Sequence, residues 1–159
     1  MTTSYVAGFL LNNFNDYVLL ILKEKPDWQR GKYNAVGGKI EKNETAYDAM
    51  VREFKEETGL MLPPNSWTKF CVLHGFVIDQ NGTPDTTKEW NVHFFRACGD
   101  MGRYTPQALE KEIPRWVVID DIINRRIQTI SNLRWLIPMA FSSSEHDWPY
   151  FIQERTDVS

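Results

Sequence analysis

A chain of 159 residues, 42% hydrophobic and 25% charged, suits one folded domain spanning 1–159 and is too ordinary in composition for a disordered or fibrous protein. A net charge of −3 offers no broad basic surface, so no stable nucleic-acid partner is expected. No apolar run reaches membrane-span length, and Thr2-Thr3-Ser4 follow Met1 where a leader would be basic, which predicts a soluble cytoplasmic protein without membrane association. Cys71 and Cys98 fall in apolar, strand-like segments and are expected as buried free thiols, with a disulfide as the weaker alternative.

Tyr5–Leu11 and Tyr17–Leu22 are apolar runs around an Asn/Asp-rich turn, the pattern of a hairpin. Lys23–Lys32 is a polar loop, followed by a short strand at Tyr33–Val36, then Gly37-Gly38 and a strand near Lys39-Ile40. A helix is predicted over Glu44–Thr58, capped by Asn43 or Thr45 and closed by Gly59 in the left-handed conformation. Strands follow at Trp67–Asp79 and Glu89–Ala97, joined by a loop with the turn pair Asn81-Gly82. Arg115–Ile119 reads as another strand, Asp120-Asp121 as the cap of a short helix through Ile127, and Ser131–Phe141 as a last helix disturbed by Pro138. Trp148-Pro149-Tyr150-Phe151 should pack on the body before the end frays. The class is α+β.

The stretch Gly38–Leu60, GKIEKNETAYDAMVREFKEETGL, carries the chemistry. On a helical wheel with Glu53 at zero, Met50, Phe54, Tyr47 and Val51 span about 60° to 160°, a core-facing band. Glu44, Lys55, Asp48 and Arg52 span about 180° to 260°, a solvated arc. Glu53, Glu56 and Glu57 fall between about −60° and +40°, with Ala46 and Ala49. Carboxylates gathered beside the core repel one another, and a hard cation relieves that repulsion. An isolated E-x-x-E-E is more often a solvated face. With Gly38, Glu44, Arg52, Gly59 and apolar residues at 54 and 60, however, chance recurrence falls below about one window in 10^8.

This spacing, G38-x5-E44-x7-R52-E53-F54-x-E56-E57-x-G59-L60, resembles the Nudix box, and the chain is similar to the Nudix (MutT-like) hydrolase superfamily. The resemblance implies an α/β/α sandwich with a mixed β-sheet and a catalytic loop-helix-loop. It implies Mg2+, with Mn2+ as the alternative, held by Glu56, Glu57 and the Gly38 carbonyl. Glu53 is then either a further ligand or the general base. Arg52 would pair with and orient a box glutamate, and Glu44 would support the site from behind. Cations neutralise charge on bridged phosphates and acidify the attacking water, and a carboxylate positions or deprotonates that water.

Beyond the box, Gly31-Lys32-Tyr33-Asn34-Ala35-Val36-Gly37-Gly38-Lys39 resembles a run of the nucleoside triphosphate hydrolases in that superfamily, with Tyr33 where tryptophan is usual. The implied substrate-binding residues are Asn34 on the base, Tyr33 as a pocket wall and Lys39 near phosphates. Glu112 stands where relatives place another metal-binding acid, with Glu110 as second choice, and Asn132 is the nearest polar candidate late in the chain. Phe76 is a second wall candidate. His74, His93 and His146 read as packed or surface residues, His93 being the best placed for a pocket. Lys23, Lys25, Arg30 and Lys32 read as loop cations that could meet phosphate. The expected activity is Mg2+-dependent hydrolysis of a nucleoside triphosphate, an oxidised purine among the candidates, by a monomer or homodimer. The alternatives are another nucleoside diphosphate-linked substrate (ADP-ribose, a nucleotide sugar or capped RNA) and a nucleotide-binding module without turnover.

Overall fold

The computed structural model describes residues 2–142 and 147–157; the His146 reading lies outside them. Eight strands form one mixed sheet: β1 (Thr3–Leu11), β2 (Tyr17–Leu22), β3 (Tyr33–Asn34), β4 (Val36–Lys39), β5 (Thr68–Ile78), β6 (Pro84–Cys98), β7 (Ile113–Val118) and β8 (Tyr150–Asp157). The main path runs β3-β2-β1-β6-β5-β8, with β4 on β1 and β7 on β2. β1 pairs antiparallel with β2 and β4 and parallel with β6, while β5 lies parallel to β8.

Apolar runs without alternation in β1 and β2 follow from burial on both faces. Ala7, Phe9 and Leu11 face one cluster with Val18 and Leu20, while Val6, Leu10, Leu19 and Ile21 face the other. The second cluster is covered by helix α1 (Ala46–Thr58) through Ala49, Met50 and Phe54. The first is covered by α2 (Ile119–Ile123) and α3 (Leu133–Ala140) through Ile122, Leu133, Leu136, Ile137 and Ala140. The result is the α/β/α sandwich.

Several expectations are corrected. Of the two cap candidates Thr45 is used, its Oγ1 accepting from Asp48 N at 3.1 Å, so the helix starts after Glu44. Gly37 and Gly38 lie within β4, opposite Ala7 and Val6, so the strand expected near Lys39-Ile40 begins at Val36 and ends at Lys39. Strand β6 begins five residues before Glu89, because Asp79 and Thr83 close a tight turn that lets pairing start at Pro84. Asp120 and Asp121 sit inside the first turn of α2 and do not cap it; Asp120 accepts from Asn124 and Arg126 instead. The C-terminal segment does not fray after Phe151, since β5 offers a free edge on which β8 pairs from Tyr150 to Asp157. Both cysteines are free, Cys71 buried and Cys98 exposed.

Candidate active site

The site is built where β4 meets α1. A β-carbon on residue 38 would overlap the Glu53 carboxylate, so only glycine lets that side chain lie flat on the strand. Arg52, one residue earlier on α1, is the hub. Its Nε and Nη2 donate to the two Glu44 carboxylate oxygens at 2.7 and 2.9 Å, a bidentate pair. Nη1 donates to Glu53 Oε1 at 2.8 Å and Glu56 Oε2 at 3.3 Å, and Nη2 also donates to the Lys39 carbonyl at 3.0 Å. The solvated arc assigned to Arg52 and Glu44 is therefore corrected: Glu44 precedes the helix and its side chain is only 15% exposed. Arg52 holds the Glu44 carboxyl below the usual range, and Glu44 in turn holds the guanidinium charged.

Glu57 is buried among these groups, and one oxygen accepts from Gly37 N at 3.3 Å. Burial pushes its carboxyl up to about 8, with nearby Lys23 opposing and Glu53 and Glu112 reinforcing. Burial likewise raises Glu53, against the pull of Arg52, while Glu56 and Glu110 add to the rise. Glu112 Oε2 lies 2.9 Å from Lys23 Nζ, off the hydrogen-bonding angle and buried without another partner.

Among the described residues no three acids, histidines or cysteines already surround one cation position. The chemistry of the donor set nevertheless fits a hard divalent cation: Glu53, Glu56, Glu57 and Glu112 are oxygen donors, and Glu57 and Glu112 hold carboxylates out of water with too few positive partners.

A cleft of about 940 Å3 opens from this corner across the sheet face opposite α1. Gly37, Gly38 and Lys23 line one end, and Asn34, Gln29 and Asn132 another part of its wall. Asn34 accepts from Ala35 N at 2.8 Å and donates to Gln29 Oε1 at 3.1 Å, which fixes its amide and leaves one N–H and one lone pair for a ligand. Tyr33 does not line the cleft: it packs against the core, and its backbone bonds to Gln128 and Ile130 tie β3 to the segment bearing Asn132. Lys39 is exposed and is not a cleft residue; its carbonyl is what the site uses.

Phe76 is corrected as a pocket wall, since it does not line the cleft, and His93 is a half-buried histidine packed away from it. Along β6 the cleft takes Trp90, Val92 and Phe94, so His93 points to the other face, where burial and Lys69 lower its pKa. On β5 the same period gives the cleft Leu73 and not His74, whose Nδ1 lies 2.8 Å from Asn91 Oδ1. Trp28 and Trp90 are cleft residues that sequence reasoning missed. Trp90 was legible from its alternation with Val92 and Phe94. Its indole lies over Gly75, where a β-carbon would overlap the ring.

The NUDIX domain profile matches residues 1–136. A mouse oxidized purine nucleoside triphosphate hydrolase is 32% identical over 122 residues, covering 77% of this chain and 71% of that protein. An uncharacterized Nudix hydrolase of Bacillus subtilis (strain 168), YvcI, is 30% identical over 111 residues, 69% of this chain and 63% of its own length. A solved MutT protein from Bacillus halodurans aligns with TM-score 0.68 at 18% identity, over 98% of this chain and 90% of that one. The NUDIX domain of Shewanella oneidensis NrtR, solved with ADP ribose, aligns with TM-score 0.68 at 16% identity, over 88% and 86%. The two structures share the fold. With the box residues gathered at one corner and the family profile spanning most of the chain, this protein belongs to the Nudix hydrolase family and is a pyrophosphohydrolase.

Proposed function

We propose that the chain hydrolyses a purine nucleoside triphosphate to the nucleoside monophosphate and pyrophosphate, with Mg2+ (or Mn2+) held by Glu56, Glu57, Glu112 and the Gly38 carbonyl and Glu53 left as the base. The observation that carries this reading is the continuity of the cleft: one cavity of about 940 Å3 is lined both by Gly37, Gly38 and Lys23 and by the amides of Asn34 and Asn132. A nucleotide-sized ligand can therefore set its base against the amides and aromatic walls with its phosphates at the end lined by Gly37, Gly38 and Lys23, next to the box corner. The mouse relative's name, an oxidized purine nucleoside triphosphate hydrolase, supports a purine triphosphate as the first choice.

A bound divalent cation would supply charge neutralisation on the phosphates and make the attacking water more acidic. Glu53 takes that water's proton as the oxygen attacks phosphorus, and the bridging P–O bond breaks. Arg52 holds Glu53 in register and Glu44 holds Arg52, so the base is oriented through two bonds from outside the helix. Lys23 is placed to meet phosphate oxygens when it leaves Glu112.

A second reading, a nucleoside diphosphate linked to another moiety, draws on the NUDIX domain solved with ADP ribose and on the cleft's continuation to Glu154 and Thr156 of β8. Incubating the protein with Mg2+ and a panel of triphosphates, ADP-ribose and nucleotide sugars separates the two. Pyrophosphate release with the purine triphosphates turned over fastest supports the first reading. Cleavage of ADP-ribose at higher kcat/KM than any triphosphate rejects it.

A further inference from the structure

A second hollow, about 330 Å3, lies beside the cleft and is lined by Lys32, Arg125 and Arg134 together with Gln128, Thr129 and Ser131. Its other lining residues, Ile122 and Ile127, are apolar, and no acid is among them. Ser131 lines both concavities, so the two share a wall. None of the three cations forms an ion pair with a described acid. The nearest acids along the chain, Asp120 and Asp121, are both taken by Arg126, at 2.6 and 3.0 Å. Three cations thus converge on one concavity in a protein whose net charge is −3.

Arg125 adds a separate observation. It follows Asn124, the last cap of α2, and its φ is +59°, the left-handed conformation that glycine or asparagine takes at this position. The other non-glycine residues with positive φ, Asn15 and Asn43, are of that tolerant kind; Arg125 is not. An arginine in a conformation that favours glycine, beside two further cations with no acidic partner among the described residues, is a backbone outlier at the edge of a cationic hollow. Arginine and lysine around an apolar floor, with hydroxyls and an amide on the rim, make a receptor for a compact oxyanion.

We propose that this hollow is a second anion site, separate from the catalytic corner, which takes a phosphate group of a small molecule through Lys32, Arg125 and Arg134. The site requires neither metal nor turnover.

The test is thermal melting of the full chain in inorganic phosphate against sodium chloride at equal ionic strength. Saturating phosphate is expected to raise the wild-type Tm by roughly 2–4 °C. Arg134→Ala is expected to remove the gain, and so is Arg125→Gly, which should itself melt higher than wild type without phosphate because glycine fits the left-handed position. Lys23→Ala, at the catalytic end of the cleft, should keep the gain. No phosphate-specific shift in the wild type overturns the site, as does an undiminished shift in Arg125→Gly and Arg134→Ala. Loss of the shift in Lys23→Ala alone also overturns it, by placing the anion in the cleft.

Discussion

Glu57 shows what the fold does to a single carboxyl. It is buried beside Glu53, with only Gly37 N donating to it among the described residues, and its pKa is pushed from 4.5 to about 8. The folded state therefore prefers the protonated form. The stability this contributes is full below pH of about 4.5 and is lost as pH rises through about 8. With metal chelated at pH 9, Glu57→Gln is expected to unfold at higher denaturant than wild type, by on the order of 1–3 kcal/mol, and the two should converge near pH 4.5. A Gln variant less stable than wild type at pH 9 would mean that Glu57 is not strained. Asn34 works at the same scale: its amide is fixed by Ala35 N and Gln29, so its free N–H and lone pair face the ligand in one orientation. Asn34→Ala should raise KM about tenfold and blur preference among bases while leaving kcat near normal; an unchanged substrate profile removes Asn34 from recognition.

At the scale of elements, α1 was legible because its three faces have different tasks. Met50 and Phe54 are fully buried, Lys55 is exposed, and the glutamate arc falls between them, with Glu57 at 7% exposure and Glu56 outside. Two things were not legible there. The choice of Thr45 over Asn43 depends on Asn43 adopting φ of +66°, a backbone detail that either residue's identity permits. The inward role of Glu44 depends on that boundary, since a side chain before the helix is not on its wheel. Thr45→Ala should lower Tm by about 2–4 °C through loss of the cap, with kcat/KM little changed, measurable by calorimetry alongside a standard assay. Phe76, the misplaced pocket wall, could be assigned to a strand but not to a face, because the face of β5 depends on bulges between Lys69 and Cys71 and between Gly75 and Val77.

For the whole molecule, the sandwich explains why the corner chemistry and the cleft lie where they do. Helix α1 closes one face of the sheet and α2 with α3 the other, and β4 passes between the box carboxylates on one side and the cleft on the other. The family profile ends at residue 136, yet Glu154 and Thr156 of β8 line the cleft. The box could be read from spacing alone because metal and phosphate chemistry tolerate few residue types. Most cleft walls could not: Trp90 shows in its alternation with Val92 and Phe94, but Trp28 and Glu154 come to the same cleft only through the tertiary fold. The role proposed for Glu53, oriented by Arg52, is to drive cleavage between the first two phosphates. It is tested most directly by quantifying the products of a purine nucleoside triphosphate with wild type and Glu53→Gln, in Mg2+ and in excess chelator. The expected result is equimolar monophosphate and pyrophosphate from wild type in Mg2+ only, with Glu53→Gln at least about 100-fold slower though fully folded. Release of diphosphate and inorganic phosphate, or near-normal turnover by Glu53→Gln, would contradict it.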